Sequence, residues 1–106
     1  MGRGLLIALA LWSTPGPFTL VNGTGGPLGA LSIRMTNEKG AWRPLGPGLA
    51  AGARALETSP GGEDCAFDIR AESAGKTLVW TAVNLCDVRV VTLSRGRDGT
   101  LWVDYD

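Results

Sequence analysis

The chain contains no histidine. That absence removes the usual general base, the usual zinc or copper ligand and the side chain that changes charge near neutral pH. Neither sign of charge is in excess: ten Lys plus Arg stand against ten Asp plus Glu. No basic surface therefore points to nucleic acid and no acidic tract to a basic partner. Nor does any apolar run approach the about 20 residues of a membrane-spanning helix. Long helix-forming stretches are scarce as well. What is abundant is punctuation, sixteen glycines and six prolines in 106 residues, which implies many turns within a single domain.

The stretch Cys65–Leu93 holds both cysteines and three candidate strands. Cys65, Phe67, Ile69 and Ala71 alternate with Asp68, Arg70 and Glu72, the two-residue period of a half-buried strand. After a turn at Ala74-Gly75-Lys76, Thr77–Val83 is rich in β-branched and aromatic residues. Cys86, Val88 and Val90 then oppose Asp87 and Arg89. Both cysteines fall on the inward face, the parity required of a disulfide tying one strand to the next but one. The alternative is a pair of buried thiols.

Upstream, Phe18–Asn22 reads as a strand that ends in the loop Asn22-Gly23-Thr24-Gly25-Gly26-Pro27, and Gly29–Thr36 reads as a second strand with Leu31, Ile33 and Met35 inward. Asn22-Gly23-Thr24 is formally a glycosylation sequon, read here as a turn. Ala41–Leu45 is a short extended piece or edge, since Pro44 has no N–H to give a ladder. In Gly46–Gly52 four of seven residues are Gly or Pro, so Gly46–Arg54 reads as a loop leading to a strand at Ala53–Thr58. Ser59–Asp64 is a solvent loop. Asp98-Gly99 favours a hairpin joining Val90–Ser94 to Leu101–Tyr105, with Leu101, Val103 and Tyr105 inward and Trp102 and Asp104 outward. About seven short strands at spacings near ten residues are the pattern of an all-β, small antiparallel β-sandwich, Ig-like or a partly open barrel.

At the start, Met1-Gly2-Arg3-Gly4 followed by the apolar run Leu5–Trp12 has the order of a secretory signal. Residues 1–16 are therefore expected to be a signal peptide and 17–106 the folded domain, in an exported protein that is periplasmic or secreted. The competing reading is a first core element of a cytosolic protein. Two cysteines without a metal or redox motif suit an oxidising compartment. A domain of this size buries only about 60–65% of its unfolded surface, so a Cys65–Cys86 cross-link worth roughly 3 kcal/mol would matter.

Phe18-Thr19-Leu20-Val21-Asn22 with Thr24-Gly25, then Cys65-Ala66-Phe67-Asp68-Ile69-Arg70, then Val83-Asn84-Leu85-Cys86, resembles the pattern of a family of small exported bacterial proteins without an assigned activity. In that family an F-x-(L/V)-x-N-x-T-G strand and turn precedes a C-x-(F/Y)-D-(I/L)-R strand and an (N/D)-L-C segment. Some members carry the label argininosuccinate lyase, which this chain cannot justify, having neither the length nor a histidine nor a helical body. The resemblance implies export, a disulfide and a β-rich domain, and it implies no catalytic residues.

Candidate sites are few. Without histidine a nucleophile would need Lys39, Lys76 or a carboxylate as base, and both lysines lie in glycine turns. Glu63-Asp64 and the pair Asp104 and Asp106 could serve a carboxylate enzyme or a calcium site, but such acids at a loop and a strand end are ordinarily solvated. No cofactor is implied. The aromatic surplus is more informative: Trp12 belongs to the leader and Trp80 to the core, leaving Trp42, Arg43 and Trp102 as the expected binding surface. Against that, Trp42 could cap an open end of the sandwich and Trp102 lie under the stems of Arg89 or Arg95. The expected function is a non-enzymatic binding or envelope-associated module for a protein, peptide or glycan, with neither nucleic acid nor a stable membrane span involved. The alternatives are a carboxylate-dependent enzyme and a small protease inhibitor, since Asn22–Gly26 resembles the inhibitory loop of chagasin-type cysteine-protease inhibitors.

Overall fold

The computed structural model describes residues 13–106; the expected signal segment lies, up to Trp12, outside the described residues. Eight strands follow one another: β1 Phe18–Gly23, β2 Leu28–Met35, β3 Arg43–Leu49, β4 Arg54–Glu57, β5 Ala66–Ser73, β6 Lys76–Asn84, β7 Val90–Arg95 and β8 Leu101–Tyr105. They form two four-stranded sheets, β4-β1-β7-β8 and β3-β2-β5-β6, stacked as a sandwich. Pairing is antiparallel except that β1 runs parallel to β7, with Leu20 opposite Val91.

The alternation read from the sequence is what fills the space between the sheets. Phe18, Leu20, Leu31, Ile33, Phe67, Ile69, Val83, Val91 and Leu93 are all buried. Trp80 is buried with them, and its indole N–H donates to the Ser94 carbonyl at 3.0 Å, a bond that crosses from one sheet to the other. Together these residues remove enough apolar surface to drive the collapse of a small domain.

Three local expectations change. Gly46–Leu49 is strand and not loop: β3 runs through it as an edge paired on one side only, with β2, a position where prolines such as Pro44 and Pro47 are tolerated. This extra length adds an eighth strand to the count. Cys86–Arg89 is an irregular connection and not the start of a strand: Asp87 takes a positive φ of 62°, and β7 begins only at Val90. Tyr105, inward by parity, is 45% exposed. Its hydroxyl reaches the edge of the other sheet and accepts the Asn84 N–H at 2.9 Å.

The disulfide joins Cys65 and Cys86, with Cα atoms 5.3 Å apart. Since Cys65 immediately precedes β5 and Cys86 follows β6, it closes the open end of one hairpin instead of linking a strand to the next but one. At the hairpin's other end Ala74 and Gly75 both have positive φ, 50° and 80°, the requirement of a two-residue type I′ turn.

Asn22 is completely buried. Its Nδ2 donates to the carbonyls of Gly26 (2.8 Å), Leu49 (2.9 Å) and Ala50 (3.1 Å). Its Oδ1 accepts the backbone N–H and the hydroxyl of Thr24 at 3.0 and 2.7 Å. A side chain whose amide is fully engaged in this way is closed to modification, so the sequon is a structural knot between the β1–β2 loop and the β3–β4 turn.

Candidate functional site

All connections from even- to odd-numbered strands lie at one end of the sandwich, together with the disulfide and the incoming chain. Pro15 bridges Cys86, the Gly16 N–H donates to the Leu85 carbonyl at 3.3 Å, and the Ser59 hydroxyl donates to the Pro15 carbonyl at 2.6 Å. At this end the β2–β3 turn and the β4–β5 loop enclose an open groove of ≈ 420 Å³. Met35 and Phe67 form its apolar floor, Trp42 and Pro60 its walls, and Glu38 and Arg43 its polar rim.

Trp42 is positioned by charge. The guanidinium carbons of Arg34 and Arg70 each lie 4.3 Å from its ring centroid, within the range of cation–π attraction. Arg34 and Arg70 project from adjacent strands on the outer face of the sheet, since Arg34 stands opposite Asp68 and Ser32 opposite Arg70. Arg43 donates to the Pro60 carbonyl at 3.3 Å, so it ties the two walls of the groove together.

Beneath this layer is Asp68. Parity places it outward, yet it is 1% exposed. It is covered because β5 and β6 slip register between Phe67 and Ile69 and Ala82 adopts a positive φ of 54°, which turns the Ala82 N–H onto the carboxylate at 3.1 Å. Arg34 Nε donates at 2.9 Å and the Thr36 hydroxyl at 2.8 Å. Burial pushes the Asp68 carboxyl up, but the Ala82 N–H, the Thr36 hydroxyl and the Arg34 guanidinium outweigh it and hold the group below the ordinary carboxylate range. A carboxyl with a depressed folded pKa contributes stability above its unfolded pKa and loses that contribution as pH falls through the folded one. Acid unfolding is therefore expected to begin below about pH 4, and Asp68→Asn should flatten that part of the curve while lowering stability at neutral pH. Parallel acid titrations of both proteins followed by circular dichroism check this; superimposable slopes would remove Asp68 from the acid transition.

The expected binding residues are thus divided. Trp42 and Arg43 meet at the groove, whereas Trp102, 44% exposed, lies on β8, with its indole N–H on Asp104 at 3.2 Å. The Asn22–Gly26 loop lies at the end opposite the groove. Glu63 and Asp64 are exposed on their loop, and Asp104 is engaged by Ser94 and Trp102. Among the described residues no group of three or more His, Cys, Asp or Glu could hold a metal ion, and no helix is long and apolar enough to cross a membrane. Arg34, Arg70, Met35 and Phe67 were not legible as site residues. Their strand positions were plain, but the β2–β5 pairing that gathers them around Trp42 was not.

No protein-family model matches the chain, and no curated protein does. A solved structure with a similar fold is described as the NMR structure of the protein from Eubacterium rectale: it aligns with a TM-score of 0.63 and 13% identity over 91% of this chain and 90% of that one.

Proposed function

We propose that this is an exported, non-enzymatic binding module of the periplasm or the medium, belonging to the family of small bacterial proteins whose pattern it resembles. Its contact surface is the groove at the disulfide end, and its partner an extended protein or peptide segment carrying an apolar side chain next to an acidic group. The observation that carries this reading is the stack of Arg34 and Arg70 on Trp42 at the wall of an apolar groove. Three arginines stand at or beside the groove against Glu38 and Asp68, and Asp68 is already committed to Arg34. A floor of Met35 and Phe67 favours an aliphatic or aromatic side chain over sugar hydroxyls, which it could not hydrogen-bond. For export, the disulfide supports an oxidising compartment. A signal cut after Ala10, at the small-x-small site Ala8-Leu9-Ala10, would leave the docked residues Ser13–Gly16 on the mature protein.

Selection of a displayed random-peptide library on the disulfide-bonded protein tests the groove. Enriched peptides are expected to pair a bulky apolar residue with Asp or Glu, to quench Trp42 fluorescence, and to bind at least about tenfold more weakly to the Arg43→Ala protein, while Trp102→Ala leaves them unaffected. Peptides lost with Trp102 and indifferent to Arg43 would overturn the assignment. Intact mass from the native host tests export: a shortened chain that gains about 2 Da on reduction is expected, and a full-length chain with two free thiols would refute it.

A further inference from the structure

A sandwich of two four-stranded sheets has four edges, and three of them are defended. Strand β3 carries Pro44 and Pro47, which cannot donate to an added strand. Strand β4 has only four residues and charged ends, Arg54 and Glu57. Strand β6 is broken by the register slip opposite Asp68 and the positive φ of Ala82, and its Asn84 N–H is taken by the Tyr105 hydroxyl. Strand β8 is the least defended: one residue longer than β4 and carrying a single charge, Asp104, it pairs with β7 in unbroken register from Leu101 to Tyr105 and contains no proline, glycine or lysine.

The hydrogen-bond phase of this edge is determined. Val90 and Asp106 exchange both backbone bonds, at 3.1 and 3.0 Å, and the Gly96 N–H donates to Thr100 at 2.8 Å. By the alternation of an antiparallel ladder, Trp102 and Asp104 then bond inward to β7, and the N–H and C=O groups of Leu101, Val103 and Tyr105 point outward. Beside that row stand Trp102 and Tyr105, two of the large side chains the fold leaves exposed.

We infer that β8 is an interface that pairs antiparallel with β8 of a second copy of this chain about a two-fold axis through Val103. In that register Leu101 faces Tyr105 of the second copy and Val103 faces itself, so every outward donor and acceptor of the edge is satisfied by an identical strand. Isologous pairing of this kind requires one patch to complement itself, and the charges do so. The strand end carries Asp104 and Asp106, whereas the hairpin at its start carries Arg95, the last residue of β7, and Arg97 in the turn, neither of which has a carboxylate partner among the described residues. Antiparallel pairing sets Asp106 opposite Thr100 of the second copy, beside that turn. A five-residue edge buries little area, which places the dimer in the weak class, with dissociation in the micromolar to millimolar range.

Sedimentation velocity over a concentration series, with amide NMR shifts recorded alongside, tests the inference on the disulfide-bonded protein. Expected are a monomer–dimer equilibrium and concentration-dependent shifts concentrated at Leu101, Val103 and Tyr105. Val103→Pro removes one outward donor at a position where an edge tolerates proline, and should weaken the dimer at least about tenfold. Should that variant fold poorly, charge reversal keeps the test open: Arg97→Glu and Asp106→Lys each weaken association, and combining them restores it. A monomer at all concentrations, a dimer indifferent to these changes, or pairing of β8 only with a foreign strand would each overturn the inference.

Discussion

Asn22→Ala is expected to destabilise the domain by about 3 kcal/mol or more, lowering the melting temperature by about 12–25 °C. The side chain makes five hydrogen bonds in a site with no access to water. Its loss takes a partner from the carbonyls of Gly26, Leu49 and Ala50 and from the N–H of Thr24. The Gly26 and Ala50 carbonyls keep the Thr24 hydroxyl and the Ala53 N–H as donors, but the Leu49 carbonyl and the Thr24 N–H are partly buried, and an unanswered buried group costs about 1–3 kcal/mol. Neighbouring groups and water will recover part of that, which is why the expected sum is well below four such losses. Asn22→Asp should be worse at neutral pH, because an acceptor-only carboxylate would then face three carbonyl oxygens. Urea unfolding of the three proteins decides the matter, and a loss below about 1 kcal/mol in the alanine variant would show that the knot is dispensable.

Removal of the disulfide is the second large effect. Cys65 and Cys86 are 21 positions apart, and by the chain-entropy estimate a loop of that size adds roughly 3 kcal/mol. For a domain of this size that is a large share of the total. Cys65→Ala/Cys86→Ala should therefore melt about 12–24 °C below the parent. The effect should extend past the hairpin, because Cys86 also bridges Pro15 and the Leu85 N–H is held by the Cys65 carbonyl at 2.9 Å. Hydrogen exchange should show Gly16 and Leu85 losing protection first. A double variant that melts within a few degrees of the parent would mean that the hairpin closes its own end without the cross-link.

The fold was largely legible in the sequence, and the reason is visible in β2 and β8. Leu31, Ile33 and Met35, or Leu101 and Val103, alternate with polar neighbours, and the sandwich core is the sum of such alternations. What was not legible depends on pairing between distant strands. Asp68 read as an ordinary outward acid because its burial is produced by a register slip against β6 and by Arg34 and Thr36 across from it, none of which local parity encodes. Pro and Gly in Gly46–Leu49 read as a loop by propensity, yet an edge strand asks little of its N–H groups. The candidate groove was half legible. Trp42 and Arg43 are neighbours in the chain, but their floor and the stacked arginines come from β2 and β5. Asn22, Thr24, Asp68 and the cysteines, the most recognisable residues of the resemblance, maintain the scaffold, which is why that pattern does not mark the groove.

The parallel contact between β1 and β7 also imposes an order of assembly on a growing chain. The sheet β3-β2-β5-β6 is built from two hairpins, β2–β3 and β5–β6, separated in sequence only by β4 and its loops, so it can form as soon as residues 28–84 are available. The other sheet cannot: β4 has only β1 as a neighbour, and β1 must wait for β7, whose residues are synthesised about seventy positions later. Half of the molecule is thus one of the last things the chain can build. Closing so long a loop makes folding slow for its size, in the millisecond-to-second class, and leaves the chain extensible until nearly all of it has emerged.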